Sequence, residues 1–130
     1  MPTKNSSVLK KIILSLAIGW TFLILLLCLV KFSDLPALKV SGADKFGHFS
    51  FHFGFTLLWG YYSWLKQGKI QIKSLVKVIM ASLCYGILIE FLQAAFTTTR
   101  QADVMDVVAN LTGAMVAFLV FLSFKHIKKR

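Results

Sequence analysis

The 130 residues are 57% hydrophobic and 15% charged, against about 45–50% and about 25% in an ordinary soluble domain. That length allows one domain, and so small a soluble globule has too much surface to hide this much apolar side chain, while disorder needs low hydrophobicity. The 15 Lys and Arg against 5 Asp and Glu give a net charge of +10, but the basic residues sit at the ends of apolar runs rather than in a patch, so membrane lipids are the expected partner and nucleic acid is not.

Four segments are long enough to cross a bilayer, which takes about 20 mostly apolar residues. The first, residues 12–30, follows Lys10 and Lys11 but is longer than a signal-peptide core and lacks a small-x-small cleavage site, so a permanent helix is expected. The second, 46–65, is uncharged apart from His48 and His52, and Trp59, Tyr61, Tyr62 and Trp64 cluster at one end as an interfacial belt. The third, 78–96, is interrupted only by Glu90, and the fourth is 107–124. With flanking turns, the helices are expected at about 12–32, 45–65, 75–96 and 104–124. The fold class is an all-α membrane protein, one four-transmembrane-helix bundle in a single domain, 1–130.

Lys and Arg set the orientation. The N-terminus carries Lys4, Lys10 and Lys11, the central link Lys66, Lys69, Lys73 and Lys77, and the tail Lys125, Lys128, Lys129 and Arg130. The third link carries only Arg100, and the first, with Lys31, Lys39 and Lys45, is not the richer side. Both termini and the central link are therefore expected in the cytoplasm, in a multi-pass protein of the cell inner membrane. Cys28 and Cys84 fall at depths differing by roughly 13 Å of helix rise, so no disulfide is expected and both read as packing residues. Ala109, Gly113 and Ala117 form a small-residue stripe for close helix contact, and Ser82 with Gly86 another.

All five acidic residues, Asp34, Asp44, Glu90, Asp103 and Asp106, fall on the expected outer side. Acidic residues contribute little to topology, so this segregation has another cause. His48 and His52 share a helix face, as do Glu90 and Gln93, and Asp103, Asp106 and Asn110 lie within one arc. Counting helix rise from the outer boundary places His52, Glu90 and Asn110 in one layer roughly 10 Å down and His48, Gln93 and Asp106 in another roughly 5 Å down, with Lys45 and Arg100 at the rim. An outward-opening pocket follows. The structural alternatives are equally concrete: Asp103 or Asp44 as helix caps, and the histidines, Gln93 and Asn110 as interhelical glue. Glu90 is the most informative residue, because a charge at mid-membrane costs about 2.5–3.5 kcal/mol and must find a partner: Arg100, Lys45 or a histidine.

Asp44-Lys45-Phe46-Gly47-His48, Glu90-Phe91-Leu92-Gln93, Arg100-Gln101-Ala102-Asp103, Asp106 and Asn110-Leu111-Thr112-Gly113, in this order, resemble the signature of the VanZ-like family of small bacterial membrane proteins, over about residues 15 to 122. His52 is not part of that signature. The resemblance implies a cell-envelope setting and a link to resistance to the glycopeptide teicoplanin, and no particular reaction.

Three functions compete. In the first, Asp44, Lys45, His48, Glu90, Gln93, Arg100, Asp103, Asp106 and Asn110 bind or help modify a lipid, a lipid-linked cell-wall intermediate or a glycopeptide. There Lys45 and Arg100 hold phosphate or carboxylate, and Asp103, Asp106 and Asn110 take hydroxyl or ammonium groups. In the second, a membrane-embedded enzyme uses His48 as general base or acid, oriented by Asp106 or Glu90, with Arg100 on an oxyanion. A metal version would use His48, His52 and a carboxylate, but H-x-x-x-H without an intervening Glu is a weak signal, and no metal or cofactor is expected. In the third, the polar residues only fix the register of a structural or partner-organising bundle. The first is preferred, because no residue is a self-evident nucleophile.

Overall fold

The computed structural model describes residues 4–29, 42–96 and 101–129. Among them are four helices, α1 (Lys4–Leu29), α2 (Ala43–Gln67), α3 (Ile72–Phe96) and α4 (Val104–Lys128), and no strand. Most helix ends lie beyond the apolar runs, most of all in α1, which begins at Lys4 rather than near residue 12. The reason is that hydropathy marks the part of a helix suited to lipid, whereas Lys10 and Lys11 are good helix formers that carry the backbone hydrogen bonds onward. α2 stops at Gly68, whose φ of 71° suits glycine and whose N–H donates to Trp64 O at 2.8 Å. Gln67 then ties the short link by donating to Ser63 Oγ (2.8 Å) and Ser74 Oγ (2.7 Å).

Cross-helix contacts fix the directions. His48 faces Glu90 and Gly60 faces Leu75, so α2 and α3 are antiparallel. His48 meets Asn110 and Gly60 meets Phe121, so α2 and α4 run parallel. Tyr85 reaches Thr21 and Gln93 reaches Cys28, so α1 and α3 run parallel as well. The bundle is up-down-up-down, with α2 packed against all three other helices. Gly113 permits the α2–α4 approach: a Cβ there would run into the carbonyl oxygen of Phe49. Trp20 lies over Gly54 and donates to Phe51 O at 2.9 Å, and Trp59 donates to Thr21 Oγ1 at 3.1 Å, fastening α1 to α2.

The distribution of polarity is that of a membrane protein. Phe22, Phe91, Phe96 and Val104 are exposed, while His48, His52, Thr56, Ser82, Glu90, Gln93, Asp106 and Asn110 are buried. Three helices are long and apolar enough to cross a membrane, Asn5–Leu29, Ile72–Phe96 and Val104–Ile127. α2 is as long as α3 and α4 but carries the buried histidines, and its central place spares it the need for an apolar surface. Neither cysteine is in a disulfide. Cys28 packs with Ile24, Phe55 and Ile89, but Cys84 is exposed, so its expected packing role is corrected: it stands on the outer face of α3.

Candidate functional site

One end of the bundle gathers the start of α2, the end of α3 and the start of α4. Asp103 is the N-cap of α4, and its Oδ1 accepts from the Met105 N–H at 2.8 Å, so capping is part of its role. Its other oxygen accepts from Lys45 Nζ at 2.9 Å. Asp106, one turn on and buried, accepts from the same ammonium at 3.1 Å through Oδ1. Lys45 is thus engaged by two carboxylates of its own chain rather than held ready for a phosphate. Asp44 does not cap α2: that position is Gly42, with φ of 84°, and Asp44 lies inside the first turn, four residues from His48.

His48, 3% exposed, is the centre. Its Nδ1 lies 3.1 Å from Asn110 Oδ1. Its Nε2 faces three carboxylates, with Asp106 Oδ2 at 3.5 Å, Glu90 Oε1 at 3.6 Å and Asp44 Oδ1 at 4.0 Å. Glu90 also accepts through Oε2 from the Asp103 backbone N–H at 3.1 Å, tying the end of α3 to the cap of α4. That partner was not among the side chains considered for Glu90. The signal that could have found it is the cap itself, whose backbone amides need acceptors.

Seven of the nine sequence-selected residues therefore stand together: Asp44, Lys45, His48, Glu90, Asp103, Asp106 and Asn110. Gln93 is buried, and its Nε2 donates to Cys28 O of α1 at 2.8 Å. Arg100 and Asp34 lie outside the described residues. The expected layers are corrected in part: His48 meets Asp106 as expected, but it also meets Glu90 and Asn110, which were expected beside His52. Counting rise from a common boundary assumes equal insertion of the helices, whereas side-chain packing sets their stagger. His52 lies one turn deeper, with Nδ1 2.7 Å from Ser82 Oγ and its ring beside Phe55 and Tyr85, so it cannot join His48 as a metal ligand pair. Ser82 was read as a small packing residue; its hydroxyl is the partner of His52.

The rim pair has a definite electrostatic consequence. The hydrogen bond to Asp103, then that to Asp106, pushes Lys45 above its ordinary 10.5. The Lys45 ammonium, helped by the Met105 N–H, holds Asp103 below its ordinary 3.8. For Asp103 the stabilisation is present above 3.8 and disappears as pH falls through the lowered folded value. For Lys45 it is present below 10.5 and disappears as pH rises through the raised folded value. Between those limits Lys45→Met should melt below wild type in detergent, and the difference should shrink beyond them. Equal melting temperatures at neutral pH would contradict the pairing.

The opposite end is basic. A cleft of about 640 Å³ there is lined by Trp64, Lys69, Lys73, Lys125, Lys128 and Lys129 among others, with the Lys128 ammonium 4.5 Å from the centre of the Trp64 ring. Acid and base are thus separated along the bundle.

Comparison with known proteins bears on the whole arrangement. An uncharacterised protein of Schizosaccharomyces pombe, C11E3.10, is 31% identical over 99 residues, which cover 76% of this chain and 59% of that relative. The chain thus spans rather more than half the length of the relative it matches. No solved structure matches it. The VanZ/LLP1 family matches residues 4–125, nearly the full length and including every residue of the polar cluster, and the chain belongs to that family.

Proposed function

We propose that this protein crosses the cell inner membrane four times, with both termini in the cytoplasm, and that its polar end faces outward and binds the head of an envelope lipid or lipid-linked cell-wall intermediate. The observation that carries this reading is His48, buried with carboxylates of three helices around it at one end of an apolar bundle. Four carboxylates there, Asp44, Glu90, Asp103 and Asp106, outnumber Lys45, even with Arg100 added from the sequence. The preferred head therefore offers hydroxyl or ammonium groups to them. A lipophilic glycopeptide of the teicoplanin kind presents the same groups, so a resistance role is a special case of this binding.

A specific observation also favours an acid–base role. Asn110 holds one nitrogen of His48 while Asp106 and Glu90 stand beside the other, an orientation suited to proton transfer with a bound head group. The bundle-only reading explains the packing but leaves the excess of carboxylates without a purpose.

Native mass spectrometry of the protein released from membranes in mild detergent tests the binding. Wild type should retain a lipid or lipid-linked molecule that Asp106→Asn loses, and identical adducts in both would overturn it. On intact cells, in a background of Cys28→Ser and Cys84→Ser, cysteine at Ala43 should react with an impermeant thiol reagent and cysteine at Gly68 should not. The reverse pattern would overturn the orientation.

A further inference from the structure

We propose that Asp44, His48 and Asp106 hold a divalent transition-metal cation. One ligand atom from each, His48 Nε2 and an oxygen of each carboxylate, lies within 4.8 Å of the others. The separations from Nε2, 3.5 Å to Asp106 and 4.0 Å to Asp44, are too long for the 2.7–3.2 Å of an N–H···O hydrogen bond. They are close to the spacing of ligands that share an ion. Bonds of about 2.0–2.2 Å arranged tetrahedrally put neighbouring ligand atoms roughly 3.4 Å apart. A modest closing of Asp44, exposed and on the first turn of α2, completes the fit.

A second observation points the same way. Nε2 belongs to a side chain only 3% exposed and is aimed among the carboxylates, and among the described residues their oxygens stand 3.5 Å or more from it, beyond the usual N–H···O range. The other ring nitrogen is held by Asn110 Oδ1 at 3.1 Å. An Nδ1–H donated to an oxygen fixes the tautomer that leaves Nε2 with its lone pair, the arrangement found behind metal-bound histidines. Asn110 is itself locked, 1% exposed and lying over Gly86, where a Cβ would stand 2.5 Å from its Nδ2.

The donor types fit a borderline ion. One imidazole and two carboxylates suit zinc or a neighbouring divalent metal better than copper(I), which prefers sulfur, or calcium, which takes six to eight oxygens. Asp106 can serve Lys45 and the cation together, because Lys45 lies against Oδ1 and the imidazole against Oδ2. Glu90 Oε1 lies 3.6 Å from the same nitrogen, at the edge of the set. Sequence spacing suggested His48 with His52; the packing replaces His52 by carboxylates of α2 and α4, and three donors leave the fourth position for a ligand. The cation extends the head-group reading, and neither depends on the other.

The test uses Zn²⁺ alone. Full-length protein in detergent, stripped with chelator and dialysed against Zn²⁺, should retain about one equivalent per chain, and X-ray absorption at the zinc edge should show imidazole scattering with light N/O neighbours. His48→Gln and Asp106→Asn should abolish retention, while Asn110→Ala should weaken it by about 10–100-fold. His126→Gln, altering the exposed histidine at the far end, should leave it unchanged. Absence of retained zinc in folded wild type, zinc without imidazole scattering, or zinc equally retained by the His48 variant would overturn the site. The absorption measurement needs no variant, so a misfolded mutant does not decide the matter. Zinc bound with no lipid adduct refutes only the head-group reading, and lipid bound without zinc refutes only this one.

Discussion

Gly113→Ala should be among the least stable single-methyl variants of this protein, and Gly113→Val should fail to accumulate as a folded bundle. The added Cβ would collide with the carbonyl oxygen of Phe49 and sit 3.0 Å from Phe49 C and Phe53 N. These are backbone atoms of α2. By contrast, the groups crowding Gly54 and Gly60 are the rings of Trp20 and Phe121, with one Leu75 methyl, and side chains can turn. Only separation of α2 from α4 relieves the clash at Gly113. Overpacking costs typically about 1–3 kcal/mol, and more when backbone must move. The same separation draws Asp106 and Asn110 away from His48, so the polar end loosens with the packing. Unfolding midpoints in detergent provide the measurement, with Gly19→Ala as the control. Nothing lies within 4 Å of a Cβ at Gly19, and alanine in a helix is favoured over glycine by about 1 kcal/mol. Equal midpoints for the two variants would mean that the close α2–α4 contact does not exist.

The second large effect belongs to His48. His48→Leu should destabilise the bundle far more than His48→Gln. The hydrogen bond to Asn110 is a minor part of the loss, since interhelical hydrogen bonds in membranes average about 0.6 kcal/mol. The larger part is what leucine leaves behind: Glu90 and Asp106, both buried, without the imidazole between them. Taking a polar partner from buried groups costs about 1–3 kcal/mol, more for charged ones, and it falls here on Asp106, which keeps Lys45, and on Glu90, which keeps the Asp103 N–H. Glutamine has a polar amide that can reach the same neighbours, so it should fold and lose only what needs an imidazole. Thermal unfolding separates the two variants, and retained lipid and zinc report on the site. A leucine variant as stable as the glutamine variant would show that His48 does not hold the carboxylates together.

How far the site could be read from the chain differs residue by residue. Asp103 as a cap follows from its place before an apolar helix, and its contact confirms it. The separation of acidic and basic ends was legible because each charge is tied to a helix end. Spacing alone did not separate His48 from His52, which lie four residues apart on one face of α2; only the resemblance to the family signature, which holds His48 and not His52, favoured His48. Gln93 shares an arc with Glu90, and spacing could not foretell that its amide N–H reaches the backbone of α1 at Cys28.

The class of molecule follows from the chain alone. Composition, run length and the location of charge required apolar helices with their polar groups turned inward, because lipid offers no partner for a carboxylate or an imidazole. Which polar groups meet is set by packing. Stagger between helices depends on close contacts such as Gly113 against Phe49 and Gly60 against Phe121, and these act at the scale of a single methyl group. A shift of one turn exchanges the neighbours of each histidine while leaving the hydropathy of every helix unchanged. Local periodicity is blind to that shift, and packing is not.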